Sequence, residues 1–388
     1  VMRRKVLLVQ PSLQPPGGGN GVAAWMLQAL VREHHVTVLS WRPVEIGPIN
    51  RFFGTALHSS DFDTMVVPRA WRAAPDLLPV PAALIRSGLL MRYARRLTGG
   101  FEVIVGVHNE TDYGRRGIQY VHYPTYLRPR PQVDFRWYHG MAPVLSRYYQ
   151  LADWAAGFSP DRMKANLTLA NSNWTASNLH RFLGIDAQTL YPPVVTGGSP
   201  LPWRQRERAF LAIGRVSPEK EYERIIRILA RVRRELPDIT LTIVGTWDRY
   251  TKAYHQHLEQ VVATVTPAHS WVTFRHNLTR GEVQGLVSRY RYGIHGMREE
   301  HFGMAPAEMM CGGMLVWVPK GGGQVEIVGG EPALLYETEE GAANTIVRTI
   351  TDPGEEARLR EMLAGRADLF SVNRFVAAVQ QIVSTFEE

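Results

Sequence analysis

Short runs of apolar residues alternate along the chain with longer stretches in which apolar positions recur every three or four residues. KVLLVQ (5–10), HVTVLS (35–40), TMVVP (64–68), EVIVGV (102–107), IQYVHY (118–123) and LTLANS (167–172) form a first series of strand-like runs. Such nearly continuous apolar runs fit strands covered on both faces. Between them lie helical patterns such as GVAAWMLQALVREH (21–34) and AALIRSGLLMRYARRL (82–97). The alternation predicts βαβ units and parallel sheets. YPPVVTGGSPLPWRQRER (191–208), rich in proline and glycine, reads as a linker. The pattern then restarts with AFLAIGR (209–215), the helix EYERIIRILARVRREL (221–236), ITLTIVG (239–245), WVTFRHN (271–277), YGIHG (292–296), MLVWVP (314–319) and ALLYE (333–337). The fold class expected is α/β: two doubly wound domains, residues 1–195 and 203–370, facing each other across a cleft. A terminal helix over 371–388 is free to pack back on the first domain.

A chain of 388 residues fits two domains of ordinary size. With 45% hydrophobic and 21% charged residues it has the composition of a soluble globular protein. No apolar run approaches the eighteen residues of a membrane span, and VMRRKVLLV at residues 1–9 is too short for a signal peptide. The expectation is a cytoplasmic protein. Cys311 is the single cysteine, which excludes an internal disulfide and a thiolate metal cluster. The net charge of +8 points to an anionic partner. No helix-turn-helix, zinc spacing or aromatic RNA-binding strand accompanies it, so nucleic acid is not the expected one. Of 44 basic residues only five are lysine, and Lys220 and Lys320 both fall in glycine-containing loops.

In open parallel sheets ligands bind beyond the carboxyl ends of the strands, so the loops there are the candidate ligand sites. QPSLQPPGGGNGVAAW, with Gly17, Gly18, Gly19 and Gly21 before a helix, gives a backbone that a ligand can approach closely. It fits neither dinucleotide fingerprint nor phosphate loop, and a plain turn reads equally well. In IGRVSPEK (213–220), Arg215 and Lys220 would bracket a diphosphate and Gly214 would leave room for it. The alternative is a pair of solvated cations at a helix start. REEHFGMAPAEMMCGG (298–313) carries Glu300 on a loop and Glu308 early in the helix that Pro306 opens. Glu308 alone could be a helix-dipole partner; Glu300 has no such role. VPKGGGQVEIVGG (318–330) offers the backbone amides of Gly321 to Gly323.

The order of these loops, GR-x4-K, then E-x7-E around Phe302 and Gly303, then a glycine triplet, resembles the donor half of retaining GT-B glycosyltransferases of family 4. GIHGMREEHFGM (293–304), GGGQVEIV (321–328), QYVHYPTY (119–126) and NSNWT (171–175) are similar to segments of the α-1,2-mannosyltransferases that extend dolichol-linked oligosaccharide. The resemblance is strongest over residues 270–330. It implies two Rossmann-like domains and transfer of a hexose from a nucleotide diphosphate sugar, with GDP-mannose favoured over a UDP-sugar. The acceptor would be a hydroxyl of a glycan, glycolipid or small molecule. It also implies catalytic roles for His122, Arg215, Lys220 and Glu300, and donor contacts from Gly18, Gly19, Gly214, Arg215, Lys220, His276, Asn277, Glu300, Phe302, Gly303, Met304 and Glu308. Glu300 would touch the transferred sugar or its phosphate, and Glu308 the ribose hydroxyls. His122, ordinarily a structural histidine at a strand end, would sit beside the sugar and position it. No DxD motif occurs, so neither a catalytic metal nor a cofactor is expected.

Two further readings stand beside this one: a sugar-nucleotide epimerase of the same shape, and a basic nucleic-acid- or membrane-binding protein without catalysis. Residues 69–97 combine Trp71 with Arg69, Arg72, Arg86, Arg92, Arg95 and Arg96. Such a segment fits a peripheral site on an anionic inner membrane face, and equally a domain helix with solvated arginines.

Overall fold

The computed structural model describes residues 3–77, 83–125, 142–198, 200–246, 251–265 and 271–387. Its strands are β1 Lys5–Val9, β2 His35–Ser40, β3 Asp63–Val66, β4 Val103–Gly106, β5 Ile118–Val121, β6 Leu167–Ala170, β7 Ala187–Thr189, β8 Glu207–Ile213, β9 Thr240–Gly245, β10 Val272–His276, β11 Tyr290–Ile294, β12 Leu315–Pro319 and β13 Leu335–Tyr336. They form two parallel sheets, ordered β3-β2-β1-β4-β5-β6-β7 and β10-β9-β8-β11-β12-β13. Each order reverses direction once, between β1 and β4 in the first sheet and between β8 and β11 in the second. A topological switch point of this kind is where α/β sheets hold ligands.

The chain divides into two compact units, Val1–Pro193 with Val372–Glu388, and Val194–Ser371. Both are Rossmann-like, with helices over a parallel sheet. The central strands are buried throughout; Val6, Leu7, Leu8 and Val9 are fully enclosed, as are Leu315, Val316, Trp317 and Val318. That is why their sequences run apolar without alternation. The helix Val372–Thr385 belongs to the first unit, where Gln380 Nε2 donates to the Ala29 carbonyl at 3.3 Å. Arg4 fixes the far end of that helix through the carbonyls of Val383 (3.0 Å) and Phe386 (2.7 Å).

Several expected boundaries shift. The first helix runs Gly18–Leu30 rather than 21–34, so Gly18 and Gly19 lie in its first turn. The expected helix 221–236 is Tyr222–Val232. The helix Ile46–Phe53 has only eight residues, with Gly47 and Pro48 in its first turn, and strand β7 has three, so neither stands out in the sequence.

In the segment 69–97, of which residues 78–82 lie outside the described set, several side chains expected on a membrane face make contacts within the unit. Trp71 packs on Tyr93 with Arg96 over its ring at 4.7 Å, and Leu89 and Leu90 join the core. Arg95 donates to the carbonyls of Asp112 (2.9 Å), Gly157 (2.9 Å) and Ala156 (2.5 Å), and Arg72 to that of Val67 (2.7 Å). Arg72 and Arg95 therefore brace the unit from within, while Arg69, Arg92 and Arg96 stay exposed. Among the described residues no helix is long and apolar enough to cross a membrane.

Candidate functional site

At the switch point of the second unit, the loops leaving β8 and β11 converge. After β8 the chain turns through the short 3-10 helix Pro218–Lys220, and Glu221 enters the left-handed region with φ 47° before the helix Tyr222–Val232 begins. A Cβ on Gly296, just past β11, would lie 2.4 Å from the Lys220 carbonyl oxygen. Glycine there lets the two loops touch, which carries Lys220 to Glu300.

Lys220 Nζ lies 2.5 Å from Glu300 Oε2, and His295 Nε2 lies 3.0 Å from the same oxygen. Met297 Sδ adds a 3.4 Å contact to the ammonium. Burial works against the Glu300 charge, but Lys220 first and His295 second outweigh it and hold the carboxyl well below the usual carboxylate range. Burial pushes His295 down, and Lys220 adds to that against the pull of Glu300. The imidazole is therefore neutral near pH 7 and donates its Nε2–H to the carboxylate.

The Glu300 backbone is clamped as firmly as its side chain. Gly323 N–H donates to its carbonyl at 2.7 Å, and Glu300 pairs with Gly322 as an isolated parallel bridge. The buried Gln324 amide donates to the carbonyls of Met297 (2.8 Å) and Gly321 (3.0 Å), joining the loops after β11 and β12. Gly321 N–H goes to the Pro319 carbonyl at 2.9 Å. The expectation that Gly321 to Gly323 present amides to a ligand is thus corrected for Gly321 and Gly323. Their glycines serve close packing: a Cβ on Gly322, at φ 73°, would lie 2.2 Å from the Glu300 carbonyl oxygen. Gly322→Ala is expected to lower the melting temperature well beyond Gly330→Ala, which has a similar φ of 70° but open space around it. The left-handed backbone alone costs about 1–2 kcal/mol. Equal shifts in the two variants would show that the clamp on Glu300 contributes nothing.

Glu308 lies in the helix Met304–Cys311, partly buried, and burial raises its carboxyl above the usual range while Arg280 opposes the rise. Among the described residues its side chain makes no hydrogen bond or ion pair, so it is an acceptor open to a ligand. Glu300 and Glu308 differ sharply: one is saturated by protein partners, the other is not.

The remaining expected site residues fall in several places. Arg215, with its side chain 65% exposed, pairs with Glu219 at 3.2 Å. A Cβ on Gly214 would sit 2.9 Å from the Tyr222 hydroxyl, so the space left by Gly214 is filled by that phenol rather than kept for a ligand. Phe302 is buried against Phe370, with ring centroids 5.7 Å apart, so its side chain is a core group. Gly303, at φ 107°, caps the helix that Met304 begins. His276 ends β10 and Asn277 follows it at φ 53°, both separated from β8 by β9. His276 stands edge-on to His255.

Gly19 and His122 come together in the first unit, where a Cβ on Gly19 would lie 3.1 Å from His122 Nε2, while Gly18 opens the helix Gly18–Leu30. That nitrogen donates to the Val107 carbonyl at 2.9 Å, and burial pushes the ring down to about 4. His122 is neutral near pH 7 and offers Nδ1 as a lone pair, which suits positioning better than proton transfer. Sequence reasoning missed His295, which reads as part of a strand, and Tyr222, whose buried hydroxyl has no hydrogen-bond partner among the described residues.

With this geometry in view, comparison with known proteins is specific. Residues 199–366 match the family described as Glycosyl transferases group 1. The second unit carries a group 1 glycosyltransferase domain. Among curated proteins, the GDP-Man:Man(3)GlcNAc(2)-PP-Dol alpha-1,2-mannosyltransferase of Homo sapiens is 25% identical over 228 residues, covering 54% of this chain and 46% of that protein. Its counterpart in Mus musculus is 25% identical over 291 residues, 68% of this chain and 58% of that protein. The chain thus matches about half the length of these relatives. Among solved structures, Anabaena Alr3699/HepE in complex with UDP and glucose superposes with a TM-score of 0.68 at 16% identity, covering 99% of this chain and 100% of that one. WaaG, a glycosyltransferase involved in lipopolysaccharide biosynthesis, gives 0.69 at 16% identity over 98% and 100%. The architecture is that of the GT-B glycosyltransferases, and the homology to α-1,2-mannosyltransferases is weak.

Proposed function

We propose that the protein is a retaining, metal-independent hexosyltransferase that moves mannose from GDP-mannose to a hydroxyl of a glycan, lipid-linked or small-molecule acceptor. One observation carries this reading: at the switch point of the group 1 glycosyltransferase domain, the Lys220–Glu300–His295 cluster lies beside the β8 loop, with Glu308, in the helix that follows, an acceptor without a hydrogen bond among the described residues. Mannose and guanine are favoured by the likeness to the dolichol-linked mannosyltransferases.

Departure of a nucleoside diphosphate builds negative charge that fixed cations stabilise more in the transition state than in the ground state. Lys220 and Arg215 supply that charge. Each is neutralised by a glutamate, so an incoming diphosphate exchanges one anionic partner for another. Glu300, released from Lys220 in part, then accepts from a hydroxyl of the transferred sugar. The diphosphate itself takes the proton of the acceptor hydroxyl. Glu308 accepts from the ribose.

Thermal unfolding with a panel of nucleotide sugars tests the donor. A ligand present at a hundred times its dissociation constant stabilises by about 2.7 kcal/mol. GDP-mannose is expected to raise the melting temperature more than UDP-glucose or UDP-N-acetylglucosamine. Stronger protection by a UDP-sugar would replace the donor, and protection by none would remove the transferase reading.

A further inference from the structure

Tyr222 opens the helix Tyr222–Val232, shortly after the 3-10 turn that carries Lys220. Its side chain is 1% exposed and sits among core residues, yet it ends in a hydroxyl. A Cβ on Gly214 would lie 2.9 Å from that hydroxyl, 3.7 Å from Lys220 Cε and 3.8 Å from Lys220 Cδ. The phenol oxygen and the lysine stem thus lie against the same face of the first residue after β8.

Among the described residues the Tyr222 oxygen has no hydrogen-bond partner. Buried hydroxyls nearly always have one, because an unmade bond carries a desolvation cost that phenylalanine would avoid. Burial first, then the charges of Glu219 and Glu300, hold the proton on the phenol, so near pH 7 it is an O–H donor. The oxygens that these two carboxylates use are already engaged. Glu219 Oε1 accepts from Ser217 Oγ at 2.6 Å and from Arg215 at 3.2 Å, and Glu300 Oε2 from Lys220 at 2.5 Å and His295 at 3.0 Å. A donor in reserve therefore lies beside the two cations assigned to the diphosphate. The acceptor that suits it is an anionic oxygen narrow enough to enter next to Gly214, where no Cβ stands in the way.

We propose that Tyr222 is a third diphosphate-binding group beside Arg215 and Lys220, its O–H donating to a phosphate oxygen of the nucleoside diphosphate once Lys220 turns from Glu300 to that ligand and its stem uncovers the hydroxyl. The identity of the ligand rests on the transferase reading above. This hydrogen bond exists only with the ligand in place, so nothing of it is spent in the free protein. It strengthens as charge builds on the departing diphosphate, and so serves turnover as well as binding.

Tyr254 supplies the control, since its hydroxyl accepts the Tyr222 N–H at 3.2 Å and donates to Glu223 and is thus fully used in the free protein. The test compares Tyr222→Phe and Tyr254→Phe in the full chain by calorimetry with GDP, UDP and guanosine, and by thermal melting without ligand. Tyr222→Phe is expected to weaken whichever nucleoside diphosphate the wild type binds by about tenfold or more, to leave guanosine affinity unchanged, and to hold or raise the melting temperature. Tyr254→Phe should do the reverse, lowering the melting temperature and sparing every affinity. Unchanged diphosphate affinity in Tyr222→Phe overturns the proposal and leaves the transferase reading standing. Guanosine affinity falling together with that of GDP also overturns it, because the hydroxyl would then serve the nucleoside. So does a melting temperature that drops as far in Tyr222→Phe as in Tyr254→Phe, which would show the hydroxyl already paired in the free protein. A wild type that binds neither GDP nor UDP removes the donor site, and the role of Tyr222 with it.

Discussion

Lys220→Met will weaken binding of GDP by about tenfold or more and will also destabilise the free protein. The first effect is the loss of a charge-assisted contact to the diphosphate, roughly 1.5–3 kcal/mol. The second comes from Glu300. Lys220 and Glu300 keep 17% and 18% of their side-chain surface, so the pair is mostly withdrawn from water. Removing one member of a buried pair costs about 3–5 kcal/mol, and the residual exposure places this pair near the lower figure. The pH dependence identifies the cause. In the wild type, Glu300 is held below its ordinary range, so its contribution is complete above about pH 4.3 and is lost as pH falls towards the folded value. In the variant the carboxyl is buried without its cation and its proton affinity rises, so acid relieves the defect. Denaturant titrations at neutral and acidic pH should show the gap between the two proteins narrowing as pH falls. Parallel curves would show that Lys220 and Glu300 are not coupled.

Glu300→Gln and Glu308→Gln should separate turnover from nucleotide binding. Among the described residues Glu308 has no hydrogen-bond or salt-bridge partner to lose, so neutralising it should weaken GDP affinity about tenfold through weaker ribose contacts and leave the loop after β11 intact. Glu300→Gln removes the counter-ion that competes with the diphosphate for Lys220, so GDP affinity should hold or rise. Turnover should fall about a hundredfold, the scale of a misplaced reacting group. Calorimetry with GDP and steady-state transfer from GDP-mannose measure the two quantities separately. Equal losses of GDP affinity in both variants would show that the glutamates do not divide the donor between them.

Much of the fold was legible because burial on both faces leaves a direct mark on a parallel strand: LVWVP has no polar residue to spare. The GR-x4-K and E-x7-E spacings were legible because each lies within one loop or loop-helix corner. Their joining was not, since Lys220 and Glu300 are 80 residues apart and meet through the missing side chain of Gly296. The glycine triplet was misread for a related reason. A glycine run signals close approach without saying what approaches, and here the neighbour of Gly322 is the chain's own backbone. Arg95 and Arg72 were read as surface charge because sequence cannot show a guanidinium capping carbonyls. Tyr222 looked like one more apolar position on a helix, and its hydroxyl became notable once Gly214 was found against it.

The helix Val372–Thr385 completes the first unit although the whole second unit precedes it in the chain. During synthesis at roughly 5–20 residues per second, that unit waits about ten seconds or more after its first 193 residues are made. Throughout that interval the apolar face of Gly18–Leu30 that will meet the helix lacks its cover, and at its end the second unit has all of its own residues. Order of synthesis and order of completion are thus reversed, and a ribosome stalled before residue 372 would hold a finished donor domain joined to an unfinished partner.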